Sequence, residues 1–76
     1  MISYSEESDA VYIQLSDEPI VHTRVIDDAR IVDYDKDGQV VGVELLGASA
    51  GLDLRGLPEH DRLESEAKVL KFKLFA

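Results

Sequence analysis

The first 46 residues alternate between short runs of β-branched or aromatic residues and clusters of acids, glycine and proline. Such runs are typical of β-strands, and such clusters are typical of turns. Short strands separated by turn clusters form antiparallel meanders. The pattern therefore predicts an antiparallel β-meander of about five strands, over residues 2–6, 10–15, 20–26, 31–34 and 40–46.

The alternation of side chains along these strands predicts two different faces of the sheet. One face is continuously apolar and collects Val11, Ile13, Leu15, Val32, Tyr34, Val41, Val43 and Leu45. The other face is mixed and collects Tyr4, Tyr12, His22, Arg24, Asp33, Gly42 and Glu44, with Ile20, Ile26, Ile31 and Val40. The mixed face is too polar for a full core and too apolar to be simply solvated. We expect a helix or a second copy of the protein to cover part of it.

The C-terminal third of the chain predicts a helix. We divide residues 1–76 into a meander (1–49), a connector (50–57) and a C-terminal segment (58–76) within one domain. Pro58 suits a first helical position, and acids follow it near the positive end of the helix dipole. Residues 69–75 then alternate as a final strand, although a longer helix with a stripe at Leu63, Ala67, Leu70 and Leu74 is the alternative. The prediction is a small α+β domain.

The acidic composition of the chain narrows the classes of partner that it can bind. Sixteen acids against eight bases give a net charge of −8, which repels both phosphate backbones and anionic membranes. We therefore expect no nucleic-acid or membrane binding, and attraction to a basic protein instead. The N-terminus lacks the pattern of a signal peptide, and the chain has no cysteine. A cytoplasmic protein of prokaryotic type is the expectation.

The stretch from Asp33 to Glu44 matches the calcium-loop pattern D-x-D-x-D-G-x5-E at every specified position. Asp33, Asp35, Asp37 and Glu44 would be the ligands. A calcium loop of this kind has a helix on each side, but the residues on both sides of this stretch are rich in valine and isoleucine, which favour strands. We therefore favour a β-hairpin with an acidic turn at residues 35–38, and calcium binding is the alternative.

Other chemistry-bearing residues do not form a recognisable catalytic set. His22 lies in a predicted strand, where we expect it to be partly buried and hydrogen-bonded. His60 and Glu64 are spaced i,i+4 on the predicted helix and offer two of the four ligands that zinc usually takes. We find no nucleophile–base pair, no cofactor loop and no complete metal set. We predict no catalytic residue, no cofactor and no enzyme activity.

The N-terminal two thirds carries a recognisable signature. Tyr4, Asp9, Ala10, Tyr12, Ile13 and Leu15 read as Y-x4-D-A-x-Y-I-x-L, and "IDDARIVDYDKDGQVVGVELLGAS" follows. Residues 1–49 resemble a widespread family of small prokaryotic proteins catalogued as a domain of unknown function. The resemblance implies a compact, mainly β domain and no established activity. Members often have glycine where this chain has Ala29.

These observations favour a small acidic module for binding or assembly. Two-sided apolar patterning in so short a chain predicts a homo-oligomer, with a dimer favoured. An antitoxin-like partner of a small basic protein is a sharper version of this prediction. A calcium-binding module that uses the acidic stretch is the alternative.

Overall fold

Five strands form a single antiparallel sheet. The rest of the chain, residues 47–76, forms a C-terminal arm that packs on one face of the sheet. The computed structural model describes residues 1–76. The α+β fold class, the five-stranded sheet, the C-terminal helix and the final strand are confirmed. The strands of the sheet are β1 (Ile2–Ser5), β2 (Ala10–Gln14), β3 (His22–Asp27), β4 (Arg30–Tyr34) and β5 (Val40–Leu46).

The strand order is β1-β2-β5-β4-β3, which differs from a simple sequential meander. β2 pairs with β5, so the segment between β2 and β3 carries the chain to the far edge of the sheet. β5 is the longest strand, and five of its seven residues are buried. Placing β5 in the centre gives this apolar strand a hydrogen-bonded neighbour on each side.

The core face of the sheet agrees with the predicted apolar face except near a bulge. Opposite residues of an antiparallel pair share a face, and Ile13 and Val32 both lie opposite Val43. An irregularity after Asp33 pairs Tyr34 with Val40, and Val40 joins the core. A bulge inserts one residue and reverses the alternation beyond it, which neither strand's pattern reveals.

In both edge strands, the residues that face the core differ from those predicted. Tyr4 lies opposite Val11 and its ring contacts Phe72 at 4.9 Å, so its placement on the mixed face is wrong. Arg24 lies opposite Val32, again on the core side, and Ile26 packs against the core. The register of each hairpin is set by its turn, and the apolar pattern of a short edge strand does not determine it.

The arm begins with a 3-10 turn (Ala48–Ala50) and continues through β6 (Leu52–Asp53), α1 (His60–Ala67) and β7 (Leu74–Phe75). β6 and β7 are two-residue strands that pair in parallel, apart from the main sheet. The helix starts at His60, two residues after the proline, because Glu59 adopts a left-handed backbone with φ of 57°. No helix of the structure has the length and apolarity that crossing a membrane requires.

The arm supplies half of the buried residues of the hydrophobic core. Its buried residues pack with the core side of the sheet, where Val11, Ile13, Val32, Val43 and Leu45 are almost fully buried. The residues that the arm contributes are Ala48, Leu52, Leu54, Leu57, Leu63 and Ala67. The arm therefore covers one face of the sheet and leaves the other face open.

Arg30 joins the β3–β4 hairpin to the arm. Its Nη1 donates to the Arg55 carbonyl oxygen at 2.6 Å, and its Nε donates to Asp27 at 2.9 Å. The same Nη1 lies 3.9 Å from the carboxylate of Asp53. The Arg30 side chain is only 15% exposed, so this contact is partly shielded from solvent.

The Arg55 guanidinium donates to the Asp53 carboxylate at 2.9 and 3.1 Å, and holds the pKa of Asp53 at about 2. Arg30 adds to the same effect. Because the folded-state pKa lies below the ordinary value of 3.8, the ionised form is favoured by folding. This contribution is present above pH 4 and is lost as the pH falls toward 2.

We predict that the urea midpoint of unfolding decreases between about pH 4 and pH 2, and that Asp53→Asn makes this decrease smaller. Asp53→Asn removes the carboxyl whose proton uptake differs between the folded and unfolded states. Asp17→Asn, at an exposed loop position, is the matched control. A pH profile that is the same in wild type and Asp53→Asn would contradict the assignment.

Candidate functional site

Asp35 organises the acidic turn between β4 and β5. Its Oδ1 accepts hydrogen bonds from the backbone N–H groups of Asp37 at 2.8 Å and Gln39 at 2.9 Å. The backbone N–H of Gly38 donates to the Asp35 carbonyl oxygen, and Gly38 has a φ of 76°. Asp35 is buried at 7% exposure. The turn thus uses an acid as an acceptor for backbone groups and a glycine for left-handed geometry.

The other residues of the calcium pattern lie elsewhere. Asp33 accepts hydrogen bonds from the Tyr12 hydroxyl at 2.8 Å and the Thr23 hydroxyl at 2.7 Å. Glu44 lies opposite Ile31 of β4, and Ile31 precedes Asp35 by four residues. That separation is about 13 Å along the strand. The structure has the predicted hairpin, and it does not gather Asp33, Asp35, Asp37 and Glu44 around one point.

We predict no saturable micromolar calcium binding near physiological salt. Asp35 Oδ1 already accepts two backbone hydrogen bonds, and Glu44 lies too far along the sheet to complete a site at the turn. Calorimetric titration of chelator-treated protein measures this. Saturable heat that disappears in Asp35→Asn/Glu44→Gln, and persists in the exposed control Asp17→Asn, would show that the loop closes around calcium.

Tyr12 is the centre of the open face. Its ring lies over Gly42, and the structure leaves no room there for a Cβ atom. Burial, followed by the hydrogen bond to Asp33, raises the pKa of Tyr12 far above its ordinary value. The phenol therefore stays protonated and serves as a fixed hydrogen-bond donor and apolar surface rather than as a base.

Two rows of side chains cross the open face. In the first row, Ser3, Tyr12, Glu44, Ile31 and Val25 lie opposite one another on five successive strands. In the second row, Gln14, Gly42, Asp33 and Thr23 do the same on four strands. The predicted placement of Tyr12, Asp33, Gly42, Glu44 and Ile31 on one face is confirmed.

A latch at one end of the sheet explains the first part of the sequence signature. The Asp9 carboxylate accepts from the Tyr4 hydroxyl at 2.9 Å and from the Ser49 hydroxyl at 2.6 Å. The backbone N–H of Ser49 also donates to it, and Ala48 donates to the Asp9 carbonyl oxygen. These bonds, led by that of the Ser49 hydroxyl, lower the pKa of Asp9. The latch ties the β1–β2 turn to the chain that leaves β5.

The comparison with known families covers this latch and the whole sheet. The model of a family described as "Protein of unknown function (DUF2283)" matches residues 1–49. The chain belongs to this family. No curated protein matches the chain, and no solved structure matches it.

The DUF2283 match contains both faces of the five-stranded sheet and ends at Ser49, the last residue of the latch. The arm that covers the core face lies outside the matched residues. Tyr4, Asp9, Asp35 and Gly38 of the signature are used by the latch and the turn. Sequence reasoning missed the role of Ser49, although its place at the end of the matched segment was the available signal.

A small polar cluster surrounds the start of α1. Possible ligand atoms of His60, Asp61 and Glu64 lie within 4.8 Å of one another, so the structure adds Asp61 to the predicted pair. His60 Nδ1 lies 3.2 Å from Asp61, and its Nε2 lies 3.3 Å from the Ala76 oxygen. The hydrogen bond with Asp61 raises the pKa of His60. Both ring nitrogens of His60 are thus engaged in polar contacts within the chain.

His22 differs from its prediction. We expected a partly buried, hydrogen-bonded histidine, but His22 is exposed on the edge strand β3. Its ring lies 6.0 Å from the ring of Tyr34, with 32° between the ring planes. The expectation rested on the position of His22 within a strand, whereas β3 is an edge strand with a neighbour on one side only.

We predict that Gly42→Ala displaces the Tyr12 ring and lowers the free energy of unfolding by about 1–3 kcal/mol, because the new Cβ overlaps the ring. Urea unfolding followed by circular dichroism measures the change. In a Tyr12→Ala background the same substitution should cost much less, since the overlapping ring is gone. Equal costs in the two backgrounds would contradict the proposed contact.

Proposed function

We propose that this DUF2283 protein is a small non-catalytic binding module that self-associates and presents the open face of its sheet to a basic protein partner. The observation that supports this most directly is the asymmetry of the sheet. The arm covers one face, while the row through Tyr12, Ile31 and Val25 lies on the other. Val25 is 66% exposed.

The composition of the open face supports a partner of basic and amphipathic character. Tyr12 and Ile31 supply apolar surface near the middle of the face. Asp33 and Glu44 lie beside them, and the whole chain carries a net charge of −8. Aromatic anchors with a polar rim are typical of interfaces, and complementary charge accelerates association.

The hydrogen bonds of the face support a binding role rather than a catalytic one. Asp33 uses both carboxylate oxygens to hold Tyr12 and Thr23. A general base needs a free acceptor, and a general acid at neutral pH needs a pKa near 7. The network instead fixes the orientation of Tyr12, which reduces the entropy lost when a partner binds.

We predict that Glu44→Lys weakens binding of a basic partner at least about tenfold, because it replaces attraction by repulsion at the centre of the face. The probe is the product of a small basic reading frame next to the gene, measured by calorimetry at two salt concentrations. Glu7→Lys makes the same charge change at the exposed β1–β2 turn and is the control. An equal loss in both variants would show a general charge effect and contradict the role of the face.

A further inference from the structure

The outer edge of β3 is a free sheet edge that the chain does not cover. β3 is six residues long and pairs with β4 only. The opposite edge strand, β1, is shorter, and its surroundings are occupied: the Met1 ammonium group binds the Gln14 carbonyl oxygen and Glu66, and Tyr4 contacts Phe72. An exposed strand edge offers unpaired backbone donors and acceptors to another strand.

Exposed apolar side chains concentrate at this edge. Ile20, Val21 and Val25 are 51%, 62% and 66% exposed. They make up half of the large exposed hydrophobic side chains of the chain, although they lie within six consecutive residues. Natural edge strands avoid such exposure unless the edge is paired in the assembled state.

The charges of the edge are divided between its two ends. His22 and Arg24 lie in the first half of β3, and with Tyr34, Asp35 and Lys36 they line one shallow cleft. Asp35 is buried there and holds backbone N–H groups of its own turn, so Arg24 and Lys36 are the exposed charges of the cleft. Neither Arg24 nor Lys36 forms an ion pair, in a chain that has twice as many acids as bases. Asp28 follows the other end of β3 and has no ionic or hydrogen-bonded side-chain partner either.

We propose that a second copy of this chain pairs with β3, strand to strand and antiparallel, about a two-fold axis. The sheet then continues from one copy into the other. This inference rests on the self-association in the proposed function and names the surface that carries it. A two-fold contact is self-complementary, so each copy contributes the same strand.

Charge complementarity selects this occupant and this orientation. Antiparallel pairing brings the basic half of one β3 alongside the acidic end of the other, so that Asp28 approaches the cleft lined by the partner copy's basic side chains. Parallel pairing would instead place basic ends together. Cross-strand pairs of opposite charge stabilise a sheet, and like charges opposite one another destabilise it.

A dimer through the open face is the less favourable arrangement. Face-to-face packing would bring Asp33 and Glu44 of both copies into one interface, where four carboxylates would lose solvent. Edge pairing leaves the open face accessible and places the open faces of both copies on the same side. The dimer would therefore offer a partner two adjacent copies of the row through Tyr12.

The first experiment measures mass by light scattering and sedimentation over micromolar concentrations. We expect a dimer for the wild type. Arg24→Glu and Asp28→Arg should each weaken the dimer at least about tenfold, since each places like charges together. The double variant Arg24→Glu/Asp28→Arg should recover it. Lys71→Glu makes the same charge change as Arg24→Glu on the exposed arm and should leave the dimer intact.

The second experiment uses the absence of cysteine in the chain. Single cysteines at Val21, Thr23 and Val25 are oxidised in turn at low micromolar concentration, with Ser3→Cys on the opposite edge as the control. In antiparallel strands related by a two-fold axis, a residue near the axis lies opposite its own copy, within disulfide reach. We therefore expect a disulfide-linked dimer from at least one β3 position and none from Ser3.

The outcomes separate this inference from the proposed function. A wild type that is monomeric at all concentrations overturns both the edge contact and self-association. A dimer that resists Arg24→Glu and Asp28→Arg but dissociates in Glu44→Lys assembles through the open face, which overturns the edge contact only. A monomer whose β3 edge instead binds an acidic extended peptide also overturns the second copy as occupant.

Discussion

The structure depends on the pairing of β5 with a strand on each side. Val43 lies between Ile13 and Val32, and Leu45 lies opposite Val11, so one apolar surface spans three strands. Burying that surface is the dominant favourable contribution to folding. The arm covers the core face, and no other element of the structure covers the open face.

Attachment of the arm relies on two polar contacts that flank the C-terminal end of β5, one on each side. On the β2 side, the latch between Asp9 and Ser49 directs the chain as it leaves β5. On the β4 side, Arg30 connects the β3–β4 hairpin to the carbonyl oxygen of Arg55. The leucines of the arm provide burial without directional preference. The polar contacts therefore determine where the arm lies, and the apolar contacts determine how strongly it is held.

Much of the fold was predictable from sequence because strand and turn signals agree locally. Turn chemistry at Asp35–Gly38 and the shared face of Tyr12, Asp33 and Glu44 follow from residue type and alternation alone. The bulge after Asp33 does not, since it depends on how β4 and β5 pair. The same holds for the position of Tyr4, because the register of β1 is set by the turn that contains Asp9. Long-range pairing decides these features, and alternation within one strand carries no information about it.

The calcium pattern illustrates why a motif needs its structural context. Asp35 meets the pattern because turns favour acids that accept backbone hydrogen bonds, and Asp33 meets it because it holds Tyr12 and Thr23. Each acid thus has a local role that accounts for its presence. The same accounting leaves several exposed charged side chains without a hydrogen-bonded or ionic partner, and Arg24, Lys36 and Asp28 are those near the free edge of β3. At a free strand edge such side chains can contribute to the proposed pairing between copies, because cross-strand pairs of opposite charge stabilise a sheet.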